Sequence, residues 1–147
     1  MDFYVKSKIK LIMNLLNREA LLKKEVLKIE KVSFEDDSFV CVRQMTGRER
    51  DLFEKSLMVQ VRKGNKIDYE TRLDDFRAKL AVCTLCDEEG VLLLKPNDVP
   101  TLSQNMSAAR LEKIITAAQA LNKITEEDKE DIVKNSGGDP IEDSSSD

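Results

Sequence analysis

The sequence predicts a mainly α fold with a small N-terminal β-hairpin (α+β), built as a compact helical domain of four to six helices. Three observations predict it. Apolar residues recur at helical spacing through most of the chain. One early stretch, residues 26–43, is instead rich in β-branched residues around a polar turn. Aromatic residues make up only 5% and tryptophan is absent, so the core must be packed from Leu, Ile, Val and Ala.

The first element is a helix over residues 3–24. Val5, Ile9, Ile12 and Leu16 form its stripe, Leu11, Leu15 and Leu22 lie beside it, and Lys6, Lys8 and Lys10 fall on the other side. This amphipathic pattern reads first as a helix with a solvated face; its sharper alternative is a helix lying on a membrane surface. Val26–Phe34 and Phe39–Arg43 follow as the two strands of a hairpin, joined by Glu35-Asp36-Asp37-Ser38. Thr46-Gly47-Arg48-Glu49 is a capping box, in which the Thr46 hydroxyl accepts from the Glu49 amide and the Glu49 carboxylate accepts from the Thr46 amide. The helix it opens carries Phe53, Leu57 and Val61 on one face and ends at Gly64-Asn65.

A third helix is expected from Asp68 to Cys86. Tyr69, Leu73, Phe76, Leu80 and Cys83 make one stripe and Ala78, Val82 and Leu85 a second, which marks it as the central core helix. Asp87-Glu88-Glu89-Gly90 is a turn, and Val91–Leu94 is a short strand or extended run. Pro96 and Pro100 permit at most a short helical turn between them. Ser103 or Asn105 then caps a fourth long helix, with Leu111, Ile114, Ile115, Ala118 and Leu121 as its stripe. Thr125-x-x-Asp128 opens a last short helix that ends near Asn135. The organisation expected is an N-terminal helix (1–24), a hairpin plus helical domain (25–135) and an acidic, disordered tail (136–147).

Composition narrows function. Histidine is absent, which removes the commonest general base near neutral pH and any Ser-His-Asp or Cys-His arrangement. Residues 126–147 hold nine acids against Lys129 and Lys134, a charge of -7; the net charge of -4 leaves +3 for residues 1–125. Neither part has the basic excess of a nucleic-acid binder. No apolar run reaches the roughly 18 residues of a membrane span. No phosphate-cradling glycine loop occurs, and Asp87–Gly90 lacks the ligand spacing of a calcium-binding EF-hand loop. The three cysteines form no even disulfide framework, and a reducing cytoplasm is the simplest home.

Cys83-Thr84-Leu85-Cys86 has the spacing of a redox motif, but it falls at a helix end before three acids. Both features raise a thiol pKa, opposite to what a reactive thiolate needs. Buried core cysteines are the expectation, with a thiol-dependent enzyme as the rival. A zinc site would find only Cys41 and carboxylates as further ligands. No catalytic residue, metal or cofactor is therefore expected. Arg43, Arg48 and Arg50 cluster after the hairpin, where they either bind an anion or pair with Glu49, Asp51 and Glu54; local charge balance favours pairing.

Three segments resemble the tail assembly chaperones of tailed phages. Val40-Cys41-Val42-Arg43-Gln44-Met45-Thr46-Gly47-Arg48-Glu49-Arg50-Asp51-Leu52-Phe53-Glu54 is similar to that family's strand leading into a T-G-x-E-R-D helix start. Residues 77–90, from Arg77 through Cys86 to the acidic turn at Gly90, resemble its long helix. Ser107–Ile114, followed by Leu121-Asn122, is similar to its next helix. In place of the aromatic-rich turn common in the family, this chain has Val91-Leu92-Leu93-Leu94. The resemblance implies a non-catalytic chaperone that coats the tape measure protein, keeps it soluble and helps recruit tail tube subunits. It implies action in the host bacterial cytoplasm and absence from the mature particle. The partners expected are thus the tape measure protein and the tail tube protein, with homo-oligomers allowed, and neither nucleic acid nor membrane. Arg43, Arg48 and Arg50, with Leu111, Ile114, Ile115 and Leu121, are the expected partner-binding residues. A host cytosolic helical adaptor is the alternative, and gene neighbourhood separates the two.

Overall fold

The chain's computed structural model describes residues 13–124. Its first hairpin pairs β1 (Ile29–Ser33) with β2 (Phe39–Arg43), antiparallel, Val32 opposite Val40 and Lys31 opposite Cys41. The turn forms where the polar residues predict it. Asp37 has φ 67°, and the Asp36 carboxylate accepts from both the backbone N–H and the hydroxyl of Ser38. Ser38's hydroxyl, then Arg110, hold the Asp36 carboxyl well below its ordinary range, at about 2. A two-residue strand, β5 (Leu85–Cys86), adds to the far side of β2 and completes a three-stranded sheet in the order β1-β2-β5.

The capping box forms as expected: Glu49 N–H donates to Thr46 Oγ1 at 3.2 Å, and Thr46 N–H to Glu49 Oε1 at 2.9 Å. It opens α2 (Gly47–Ser56), numbered after a short α1 (Arg18–Leu22) that Asn17 caps. α2 ends early. Beyond Leu57 the chain turns into β3 (Met58–Lys63), which pairs with β4 (Lys66–Thr71) as a second hairpin. Gly64-Asn65, read as a helix stop, is its two-residue turn, with Gly64 at φ 66° as a type II′ turn requires of its first central residue. Residues 58–63 alternate Val59 and Val61 with polar or exposed positions. That period of two outweighs the single four-residue step from Leu57 to Val61.

The remaining helices are α3 (Phe76–Thr84), α4 (Val99–Asn105) and α5 (Ala108–Asn122). α3 is the core helix: Phe76, Ala78, Leu80, Ala81, Val82 and Thr84 are all buried. It packs against α2, α4 and α5, while α5 also covers β1 and β2. The Phe53 and Phe76 rings meet edge-on, with centroids 5.6 Å apart, and Val42, Leu57, Leu80, Ile114 and Ala118 fill the centre. Buried Thr84 satisfies its hydroxyl by donating to Leu80 O at 2.8 Å. Gly90, in the turn after β5, has φ 87°, and a Cβ there would lie 3.3 Å from Ile29 Cδ1.

The fold is therefore mixed α+β, not mainly α with one N-terminal hairpin: the described residues hold five α-helices and five strands in two antiparallel sheets. Three boundaries change with it. The helix expected from Asp68 begins only at Phe76, because residues 66–71 are committed to β4. Residues 13–17 are not helical, so of the N-terminal helix only Arg18–Leu22 is seen among the described residues, and it buries nothing. Ser103 and Asn105 lie within α4, and the cap of α5 is Ser107, whose hydroxyl accepts from Arg110 N–H at 3.2 Å. The short helical turn allowed between the two prolines forms, and each proline sits at a helix start. Pro96 opens a 3-10 turn (Pro96–Asp98) and Pro100 sits in the first turn of α4, where its missing N–H costs nothing. Residues 1–12 and the expected elements beyond residue 124, the Thr125 helix and the 136–147 tail, lie outside the described residues.

Candidate partner-binding site

The seven expected partner-binding residues separate into three environments. Leu111, Ile114 and Ile115 are buried against the chain's own sheet and α3, and are not surface for a partner. An apolar stripe on a helix signals a covered face, and here the cover is internal. Arg43 is also buried, 6% exposed, and its guanidinium forks onto Glu49 at 3.0 and 2.7 Å while also donating to Gln44 O at 2.9 Å. Arg43 Nε is buried without a hydrogen-bond partner. Burial works to raise the Glu49 pKa, but the Arg43 and Thr46 hydrogen bonds prevail and hold it below its ordinary value. Arg43 thus joins strand to helix cap and is not poised for an anion.

Arg48, Arg50 and Leu121 remain nearer the surface. Arg48 is exposed. Arg50 pairs with Glu54 at 3.0 Å and donates to Asn122 O at 3.1 Å. The pairing that local charge balance favours holds for Arg43 and Arg50, and among the described residues Asp51 pairs with neither. Leu121 is half-buried beside Arg50 in a shallow depression with Met45 and Asn122. Asn122 is the residue sequence reasoning missed. Its Oδ1 accepts from Met45 N–H at 2.7 Å, and its Nδ2 donates to Ala118 O at 2.9 Å and Arg43 O at 3.4 Å. One side chain therefore ties the end of α5 to the β2–α2 junction. Nothing local in the sequence marks an Asn at a helix end as a tertiary tie.

A larger apolar depression lies elsewhere, between α4 and the start of α5. It has a volume of about 560 Å³, an apolar floor of Leu94, Leu102 and Met106, and a polar rim of Asp98, Asn105 and Arg110. Leu102, Met106 and Arg110 follow i, i+4, i+8 spacing, yet they sit on two helices broken at Met106. Arg110 stacks over Phe34 at 4.3 Å and pairs with Asp36 at 2.9 Å. It also separates the groove from a second hollow, of about 270 Å³, bounded by Phe34, Glu35 and Lys113. The two share Ser107 and Arg110 and so form one broken trough.

The cysteines carry free thiols: Cys41 and Cys86 are buried and stand opposite each other across β2 and β5, and Cys83 is half-buried at the end of α3. Burial, then the nearby Glu49 charge, pushes the Cys83 thiol up; burial, then neighbouring Cys41, does so for Cys86. Raised thiols are poor nucleophiles near neutral pH. Among the described residues no group of three or more Cys, Asp or Glu side chains could hold a metal ion, and no helix is long and apolar enough to cross a membrane. Compared with family models, curated proteins and solved structures, the chain matches none.

Proposed function

We propose that this chain is a non-catalytic tail assembly chaperone of a tailed phage, which holds the tape measure protein in solution in the host bacterial cytoplasm until tail tube subunits replace it. The observation that carries the reading is the trough between α4 and α5, an apolar floor with a polar rim, on a chain whose segments resemble that family. It moves the expected contact from the buried Leu111, Ile114 and Ile115 to Leu102 and Met106.

A tape measure helix exposes repeated apolar stripes to water, and a shallow apolar groove can receive one or two side chains of such a stripe. Apolar burial contributes roughly 25 cal/mol per Å², much of it offset by the cost of association. Each chaperone then binds weakly. Many copies along one long helix hold it together by multivalency, and tube subunits can still displace them.

Thr101 and Asn105 flank the groove from exposed positions of α4, one turn apart, so long cationic side chains there would roof it without entering the core. Co-expression with the tape measure protein encoded beside this gene should yield soluble, co-purifying complex. The double variant Thr101→Arg/Asn105→Arg should fold and lose co-purification. An insoluble tape measure protein with either form, or a gene neighbourhood without tail genes, overturns the reading.

A further inference from the structure

We infer that the outer edge of β3 is a self-association surface, at which two copies of this chain join β3 to β3 antiparallel, about a two-fold axis through Gln60, into one four-stranded sheet. The second hairpin meets the rest of the fold chiefly at its base, where α2 runs into β3 and Arg72 N–H donates to Leu57 O at 2.7 Å. Among the described residues its sheet has two strands only, so β3 has β4 on one side and no described strand on the other. Alternation of the antiparallel ladder leaves the N–H and C=O of every second β3 residue facing outward. None of the β3 backbone groups bonds to backbone outside its own hairpin among the described residues. An isolated two-stranded hairpin is marginal in water, and further strands stabilise it.

Exposed edges are normally blunted by charge or proline. β4 is blunted: Lys66, Asp68 and Glu70 alternate along it. β3 is charged only at its turn end, by Arg62 and Lys63, whereas Met58-Val59-Gln60-Val61 carries neither charge nor proline. The charges also choose the occupant. Two copies related by a two-fold axis normal to the sheet pair residue i with c − i, c being even. Centred on Gln60, the β3 ladder sets Val59 opposite Val61 twice, Met58 opposite Arg62 twice, and Gln60 opposite its own copy. Val–Val pairs are favourable across strands, and two Gln amides can each donate to and accept from the other. No like charges stand opposite one another. On β4 the long registers fail: centred on Asp68, that residue meets itself, and centred on Tyr69, Asp68 meets Glu70. Centred on Ile67, Lys66 meets Asp68, but the turn cuts the ladder to three residues. A second copy at β3 is thus the one full two-fold ladder the hairpin can make.

Gln60 is exposed, so its charge can be changed without touching the core. The test is sedimentation equilibrium on the full chain, wild type, Gln60→Lys and Gln60→Glu, each alone and the two variants mixed in equal amounts. The wild type should rise with concentration from 16.7 kDa toward twice that mass. Each variant alone sets like charges together on the axis and should raise the dissociation constant about tenfold or more. The mixture sets Lys against Glu and should recover dimer. A wild type that stays monomeric overturns the proposal, even if β3 amides become protected on adding the tape measure protein, because the edge then serves another chain. Both variants dimerising like the wild type overturns it in favour of another face, and a mixture that stays monomeric overturns the Gln60 register.

Discussion

The two hairpins have strands of five and six residues and tight polar turns, yet one is sealed into the core and the other stands beside it. In the first, Val32, Cys41, Val42 and Arg43 are buried under α5 and beside β5. In the second no residue is buried, and Met58, Ile67 and Tyr69 are 40%, 54% and 52% exposed on one face. Local strand chemistry is adequate in both. What differs is where each leads: β2 runs into a helix whose cap grips it, whereas β3 and β4 leave the end of α2 and return to Arg72. A hairpin's stability in this fold is thus set by what it is bolted to.

The bolt of the first hairpin is the Arg43–Glu49 pair. Glu49→Ala strands a buried guanidinium and removes half of the capping box, so it should cost about 3 kcal/mol, the lower end for breaking a buried pair because Glu49 itself is partly exposed. Urea unfolding measures it. Acid should weaken the same link. Because folding lowers the Glu49 pKa from 4.5, its contribution is complete above that value and is lost as pH falls through the folded value. Stability of the wild type should therefore drop more steeply below pH 4.5 than that of Glu49→Gln. Equal acid slopes would show that the pair is not what holds β2 to the helix cap.

Matched truncations in the two hairpins should differ next most. Val42 is fully buried in β2, and Val42→Ala should cost about 2 kcal/mol through lost burial and the cavity left. Val61, half-buried in β3, should lose less than about 1 kcal/mol on the same change. Denaturation midpoints of the two variants decide this, and equal losses would mean that the second hairpin is packed as firmly as the first.

That difference also separates what the sequence could disclose from what it could not. The bounds of β2, the turn at 35–38, the capping box, the acidic turn at Gly90 and the core role of Phe76–Thr84 were legible because each rests on neighbours in sequence. The second hairpin carried a signal too: two alternating runs around Gly64-Asn65. It was misread because Phe53, Leu57 and Val61 continue the spacing of α2 across the true break. Leu111, Ile114 and Ile115 show a different limit. Their spacing announces a covered face but cannot say whether a partner or the chain's own sheet covers it. Asn122 acts across 77 residues, and only the assembled fold reveals that bond; the pairing of Arg43 with Glu49 is legible in the sequence, whereas its burial is not.

The smallest contrast lies in the turns. Asp37 and Gly64 have nearly the same φ, 67° and 66°, one with a side chain and one without. Left-handed backbone is awkward for residues bearing a Cβ, though Asp tolerates it better than most, and glycine adopts it freely at a cost in unfolded-chain entropy. Gly64→Ala, with open space around its Cβ, should therefore cost about 1 kcal/mol from backbone strain alone. Asp37→Gly relieves strain but adds chain entropy, and should change stability by no more than about 0.5 kcal/mol. If the second hairpin opens locally before the rest unfolds, Gly64→Ala will instead leave the global midpoint unmoved. Its loss will then appear only as faster hydrogen exchange at amides of β3 and β4, the behaviour of a unit with its own opening equilibrium. Asp37→Gly should show no such split, because Cys41, Val42 and Arg43 of β2 are buried in the core.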